Sequence, residues 1–177
     1  TFKTGGADIE IVKRIPLAGG LGGSSADAAG VLNAMKKAYE IDEDVKPLAD
    51  KLGSDTGYML SGGFAVISGR GEKVKKIETD LKLNLVLIYA KSGVNTADCY
   101  KEFDLSGASG MISDTGAAEK ALKNGDENGL YKEVGNALYL PASALNAEVK
   151  ENLNEMRSLS PLCAGMTGSG STVFGIF

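Results

Sequence analysis

The sequence predicts an α+β protein in two parts, and three observations carry that reading. A strand-like run, Ile9-Glu10-Ile11-Val12-Lys13-Arg14-Ile15, leads into a glycine-rich loop and then into a segment with helical spacing. Short strand and helix signals follow as far as Thr79-Asp80, which reads as a boundary. Beyond it an apolar strand, a mostly helical stretch and a closing strand make a second part, so the expected domains are 1–79 and 80–177.

After the loop, Ala28, Val31, Leu32, Met35 and Tyr39 recur at steps of three and four, the mark of a half-buried helix. Asp42-Glu43-Asp44 reads as the start of a helix from Val45 to Leu52, with Gly53 as its stop. Ser54-Asp55-Thr56 offers another start, before Gly57-Tyr58-Met59-Leu60. Gly62-Gly63 introduces a strand from Phe64 to Ser68, and Gly69-Arg70-Gly71 turns into a charged strand from Glu72 to Ile77. The near-continuous apolar run from Leu83 to Tyr89 predicts a strand buried on both faces. Further helices are expected from Thr96 through Phe103, with Thr96 as cap, from Gly116 to Lys123 behind Ser113, from Asp126 through Leu138, and from Asn146 to Leu159. The last strand is expected over Ser171 to Phe177.

The loop itself is the richest in chemistry. Pro16-Leu17-Ala18-Gly19-Gly20-Leu21-Gly22-Gly23-Ser24-Ser25-Ala26 stands between the strand signal and the helix signal. A helix start offers unpaired N–H groups and the positive end of the helix dipole. Glycines let a phosphate approach that backbone, and serine hydroxyls add hydrogen bonds or a magnesium ligand. An anion-binding loop for nucleotide phosphates is the reading that follows, against a plain glycine-rich turn. No lysine follows the glycines before Lys36, so the Walker pattern is absent, and Ser25 stands where a dinucleotide fingerprint counted from Gly20 needs its third glycine.

Composition narrows the chemistry. The 177 residues carry 19 basic and 23 acidic side chains, a net charge of −4, with no basic cluster interleaved with aromatics; a nucleic-acid surface is not expected. Lys73, Lys75 and Lys76 form the densest basic run and read as a solvated turn. No stretch of eighteen apolar residues and no signal-peptide pattern occur, so the expectation is a soluble cytoplasmic protein that does not engage a membrane. Cys99 and Cys163 fit a reducing compartment and read as small buried hydrophobes. The chain has no histidine, which removes Ser-His-Asp and Cys-His nucleophile systems and His-based zinc sites. Phosphoryl transfer, mostly positioning and charge stabilisation, is a reaction the remaining side chains can support.

Other residues hold two readings each. Asp55 is a candidate general base, although on its own it reads first as a helix cap. Gly168-Ser169-Gly170 is a second small-residue loop, equally a phosphate contact or a hairpin turn. Thr96 and Tyr100 lie one helical turn apart and could face one pocket; by periodicity Tyr100 reads as core.

In their order, these segments resemble the GHMP kinase superfamily. The resemblance rests on Lys13-Arg14-Ile15-Pro16 through Ala29, on Leu52-Gly53-Ser54-Asp55 with Gly62-Gly63 and Gly69-Arg70-Gly71-Glu72, on Gly93-Val94, Thr96, Tyr100 and Phe103-Asp104, and on Met166-Thr167-Gly168-Ser169-Gly170 with Val173-Phe174. Within the superfamily it is nearest the branch that acts on 4-(cytidine 5′-diphospho)-2-C-methyl-D-erythritol in the non-mevalonate isoprenoid pathway. It implies a ribosomal-protein-S5-like first domain, a ferredoxin-like α/β sandwich as the second, and ATP-dependent phosphorylation of the substrate's 2-hydroxyl.

By position the resemblance assigns Pro16 to Ala26 to the ATP phosphates, Ser25 to Mg2+ or a phosphate oxygen, and Asp55 to proton removal from the substrate hydroxyl. Thr96 and Tyr100 would hold the cytidyl end, and Gly168, Ser169 and Gly170 would line the transfer site. The family opens with Ala-Lys-x-Asn-Leu and Asp-Gly-Tyr-His, neither of which occurs here, and continues beyond the position of Phe177. The expectation is an incomplete chain, weak or inactive alone, with an uncovered sheet edge. Thr56-Gly57-Tyr58 stands where Val-Pro-Phe is usual, a flexible residue in place of a rigid one beside the expected base. Other readings are a homoserine- or mevalonate-type kinase, a non-catalytic nucleotide-binding remnant, and a structural domain with no ligand. The oligomeric state is left open.

Overall fold

The computed structural model describes residues 4–107, 110 and 112–177. These residues form two compact units: one contains the described residues up to Arg14 together with Gly22–Lys76, the other Ile15–Leu21 together with Ile77–Phe177. The chain therefore divides inside the glycine-rich loop, between Leu21 and Gly22.

In the first unit, helix α1 (Gly23–Ala38) buries Ala29 and Leu32 and half-buries Val31 and Met35, the stripe its spacing predicts. Helix α2 (Lys46–Leu52) begins with Pro47 in its first turn and ends at Gly53, whose N–H donates to Ala49 O at 3.3 Å. A single turn, α3 (Thr56–Met59), follows. Leu32, Val45 and Ala49 make the buried cluster, with Leu48 and Leu60 against it. Strands β1 (Ala65–Ser68) and β2 (Lys73–Lys76) pair antiparallel, Ala65 opposite Lys76 and Ser68 opposite Lys73. The Gly69-Arg70-Gly71 turn between them presses on Ser54: a Cβ on Gly71 would overlap the Ser54 carbonyl.

Residues 9–15 are not a strand. They run without a ladder partner among the described residues, and Ile9, Ile11 and Val12 stay exposed. Alternating apolar residues satisfy only half of what a strand requires; the other half is a neighbouring strand to take its N–H and C=O groups. The segment is instead tied to α1 by a Lys13–Asp27 ion pair, and just before it Gly6 O accepts from Oη of Tyr39, the residue that ends α1, at 2.8 Å.

The second unit holds an antiparallel sheet in the order β3-β5-β4, with β3 at Leu85–Ile88, β4 at Cys163–Met166 and β5 at Val173–Ile176. Helices α4 (Thr96–Ser106), α5 (Thr115–Asn124), α6 (Glu127–Lys132), α7 (Tyr139–Leu145) and α8 (Ala147–Ser158) complete it. Val94, Cys99, Ala142, Val149, Leu153, Met156, Met166 and Val173 form its core. The expected strand at 83–89 is present at Leu85–Ile88 but not buried on both faces: Leu85, Val86 and Leu87 are exposed. The helix expected over 126–138 stops at Lys132, and α7 starts only at Tyr139. Gly135 and Asn136 interrupt the helical run, and β4 was not foreseen as a strand. No helix among the described residues is long and apolar enough to cross a membrane.

Candidate functional site

The candidates fall into two sets, one in each unit. In the first unit the set is built around the start of α1. Gly22 is its N-cap, in the left-handed region at φ 64°, and a Cβ there would stand 2.6 Å from Met59 Cε. No side chain caps the first-turn N–H groups, and the first turn holds no acidic residue. Helices α4, α5, α6 and α8, by contrast, are capped by Asn95, Asp114, Asp126 and Asn146. The longest helix thus opens with bare N–H donors at the positive end of its dipole, with Ser24 exposed and Ser25 half-buried beside them. That end is suited to an anion.

Asp55 lies between α2 and α3, on the segment backed by Gly71. Its main chain caps α3, with Met59 N donating to Asp55 O at 3.0 Å, but its carboxylate makes no cap hydrogen bond. The capping reading of this side chain is therefore set aside, and the exposed carboxylate is available to accept a proton. Next to it, Thr56 is buried with an unpartnered hydroxyl. A Cβ on Gly53 would lie 3.1 Å from Thr56 Oγ1 and 3.5 Å from Ser25 Oγ, which brings the 53–56 turn and the first turn of α1 into one neighbourhood.

The second unit joins the front of the glycine loop to the 167–172 connection. Thr172 N donates to Gly19 O at 3.1 Å, Thr167 Oγ1 donates to Gly20 O at 3.0 Å, and Val94 N donates to Ala18 O at 3.2 Å. Gly20 sits at φ 73°, and a Cβ there would be 2.8 Å from Gly170 O. Both glycine loops read from the sequence are thus packed on one another, backbone to backbone. The 167–172 segment is the hairpin connection between β4 and β5, the turn reading of this loop.

Thr96 is the first residue of α4 and not its cap. Asn95 Oδ1 accepts from Ala97 N at 2.9 Å and Asp98 N at 3.1 Å, which leaves the Thr96 hydroxyl to meet Ser169 Oγ at 2.8 Å. Tyr100 is 54% exposed and is not core; Cys99, one position earlier, takes the buried direction. Burial raises the thiol pKa of Cys99 and Cys163 above the ordinary value, so both stay protonated and inert as nucleophiles near neutral pH.

One positioning residue escaped the sequence reading. Asn136 Nδ2 donates to Met166 O at 2.9 Å and Gly168 O at 2.8 Å, while its Oδ1 accepts from Leu138 N at 2.8 Å. Its only local signal was a helical run broken at Gly135-Asn136, and its partners lie some thirty positions along the chain. A groove of about 540 Å³ lies elsewhere in the first unit, between residues 7–10 and α1, and contains none of the candidates. Among the described residues no group of three or more His, Cys, Asp or Glu could hold a metal ion.

The features define a class: an α+β chain in two units, with a glycine loop leading into an uncapped helix start. Comparison with known families completes the step, for the description "GHMP kinases N terminal domain" matches residues 1–70 and "GHMP kinases C terminal" matches residues 118–177. The chain belongs to the GHMP kinase family. Two curated relatives are called 4-diphosphocytidyl-2-C-methyl-D-erythritol kinase. One, from Caldanaerobacter subterraneus subsp. tengcongensis, is 37% identical over 99% of this chain and 62% of its own length; the other, from Desulfitobacterium hafniense, is 41% identical over 97% and 60%. The chain thus spans about three fifths of the curated relatives it matches. A crystal structure of a 4-(cytidine 5′-diphospho)-2C-methyl-D-erythritol kinase superposes with a TM-score of 0.71 at 35% identity, covering 93% of this chain and 59% of that one. The homoserine kinase of Cytophaga hutchinsonii has the same TM-score at 18% identity, over 93% of this chain and 58% of that one, a likeness of fold alone.

Proposed function

We propose that this chain belongs to an enzyme that transfers the γ-phosphoryl group of ATP to the 2-hydroxyl of 4-(cytidine 5′-diphospho)-2-C-methyl-D-erythritol, a step of non-mevalonate isoprenoid synthesis. The observation that carries the reading is the uncapped, glycine-framed start of α1. The substrate comes from the names of the relatives. Residues 1–79 are proposed as the ATP-binding domain and 80–177 as the second domain of the family.

Pro16, Leu17, Ala18, Gly19, Gly20, Leu21, Gly22, Gly23, Ser24, Ser25 and Ala26 are proposed to wrap the ATP phosphates, with the first-turn N–H groups of α1 as donors. Asp55 is proposed as the base that accepts the hydroxyl proton, supported by a carboxylate that no cap hydrogen bond occupies. Thr96, Tyr100, Gly168, Ser169 and Gly170 are proposed as substrate contacts, the exposed Tyr100 ring serving as a stacking face for cytosine.

Ser25 Oγ is proposed as a protein ligand of Mg2+, a cation that takes few protein ligands and completes its shell with phosphate and water. When bound it supplies charge neutralisation at the transferring phosphate.

The test is a phosphoryl-transfer assay of the enzyme to which this chain belongs, with ATP, Mg2+ and the cytidyl substrate, run beside homoserine and mevalonate. Transfer to the cytidyl substrate alone is expected, with Asp55→Asn slower by about 10²–10⁴-fold while still binding ATP. Transfer to homoserine or mevalonate in its place would assign the chain to another branch. A wild-type rate in Asp55→Asn would remove Asp55 as the base.

A further inference from the structure

We propose that Gly93 is a positioning residue for the glycine-rich loop: lacking a side chain, it seats Ala18 and so aims the N–H groups that follow. The inference rests on the proposed role of Pro16 to Ala26 around the ATP phosphates. Every contact it uses lies within the second unit.

Ala18 is held at φ 51°, in the left-handed region that alanine seldom adopts, and a residue stays there only where its surroundings fix it. Gly93 supplies those surroundings. A Cβ on Gly93 would overlap Ala18 Cβ and stand 2.8 Å from Ala18 O, so the two segments meet in direct contact with no room for a side chain. Gly93 does not lie at positive φ, and conformation does not call for glycine there; the absent side chain is what matters. Val94 N, one position on, donates to Ala18 O at 3.2 Å. The seat is itself braced by the start of α8. Asn146 Nδ2 donates to Ser92 O at 2.9 Å, and Glu148 Oε2 accepts from Lys91 N at 2.7 Å.

The seat sets a direction. Ala18 O accepts from Val94 N, Gly19 O from Thr172 N and Gly20 O from Thr167 Oγ1, three carbonyls in succession. Their peptide bonds are trans, and in a trans peptide the C=O and the next N–H point opposite ways. Turning the Gly19 and Gly20 carbonyls toward 167–172 therefore turns the N–H groups of Gly20 and Leu21 away from it. Neither N–H makes a hydrogen bond among the described residues. Successive bare N–H groups on a turn are anion donors. Displacing Ala18 re-aims both.

Two measurements on the whole enzyme to which this chain belongs test the proposal. Without nucleotide, the amide resonances of Gly20 and Leu21 are expected to move in Gly93→Ala. In Gly93→Ala/Ala18→Gly, which removes the methyl group that the new Cβ would meet, they should return toward those of Ala18→Gly alone. Resonances that do not move, or do not return, overturn the proposal. Calorimetric titration with MgATP is expected to show Gly93→Ala weaker by roughly tenfold, the loss when the seated loop falls to about a tenth of the population. The double variant should bind tighter than Gly93→Ala. Wild-type affinity in Gly93→Ala, or no recovery in the double variant, overturns the proposal. If Gly93→Ala does not fold, the double variant decides: folded, with amides near those of Ala18→Gly, it supports the seat, and unfolded it overturns it. A wild-type enzyme that binds no MgATP would count against the nucleotide reading, while the amide resonances would still decide this one.

Discussion

Gly57 shows how one residue can replace a rigid turn by a packed one. It is buried in α3, and a Cβ on it would run into Asp50 Oδ1, with Lys46 Nζ 3.6 Å away. Asp50 Oδ2 accepts from Lys46 Nζ at 2.7 Å, and the same ammonium donates to Glu72 O at 2.7 Å. The carboxylate thus occupies the space a side chain at 57 would need, and the turn after Asp55 is held from behind by packing. Gly57→Ala is expected to destabilise the chain by about 1–3 kcal/mol through overpacking. Asp50→Ser, which shortens the obstructing side chain, should recover part of that loss in the double variant. Urea unfolding of the two single variants and the double measures it, and purely additive losses would show that the clash is not the cause.

Elements, more than single residues, decide where the two loops lie. Asn136, in the stretch between α6 and α7, clasps the β4–β5 connection through two carbonyls. Asn136→Ala should release that connection, with faster amide exchange at Gly168 to Gly170 and a loss of about 0.5–1.5 kcal/mol for each hydrogen bond removed. Unchanged exchange there would show that the hairpin holds itself.

The β1–β2 hairpin has a pH-dependent element of its own. The Glu72 carboxylate accepts from its own N–H and from Arg70 N at 2.6 Å, and these hydrogen bonds hold its pKa below the ordinary carboxylate value. A lowered folded pKa contributes stability above the unfolded value and loses it as pH falls through the folded one. The Gly69-Arg70-Gly71 turn should therefore loosen in acid. Glu72→Gln should flatten that acid dependence in an NMR titration of the turn amides, and an identical titration in the variant would refute the link.

At the scale of the whole molecule the two units differ in how much they bury. The second encloses a continuous cluster that includes Val149, Leu153, Met156 and Val173, whereas the first buries Leu32, Val45 and Ala49. Local stability follows buried apolar contact. Hydrogen exchange is expected to be slowest in α8 and β5 and measurably faster in α2. Equal protection in both would mean that the chain opens only as one cooperative unit.

Local chemistry made part of this legible in advance. Glycine runs, the helical stripe of α1, the Gly53 stop, the amphipathic helix after Asn146 and the closing strand are written within a few residues of where they act, because propensity is short-range. The segments that place the chain in its family are likewise contiguous in sequence. The misread elements needed a partner far along the chain. Residues 9–15 carry a strand pattern but have no neighbouring strand among the described residues, and β3 carries a buried pattern but leaves Leu85, Val86 and Leu87 exposed.

The same limit governs the candidate site. Sequence alone narrowed the class of chemistry, by the absence of histidine and by a glycine loop feeding a helix. Only the tertiary structure decided that the Asp55 carboxylate is not used as a cap, that Thr96 is free to meet Ser169, and that Asn136 holds the second loop. Hydrogen bonds between residues thirty or seventy positions apart are set by packing, and packing leaves no local mark in a sequence.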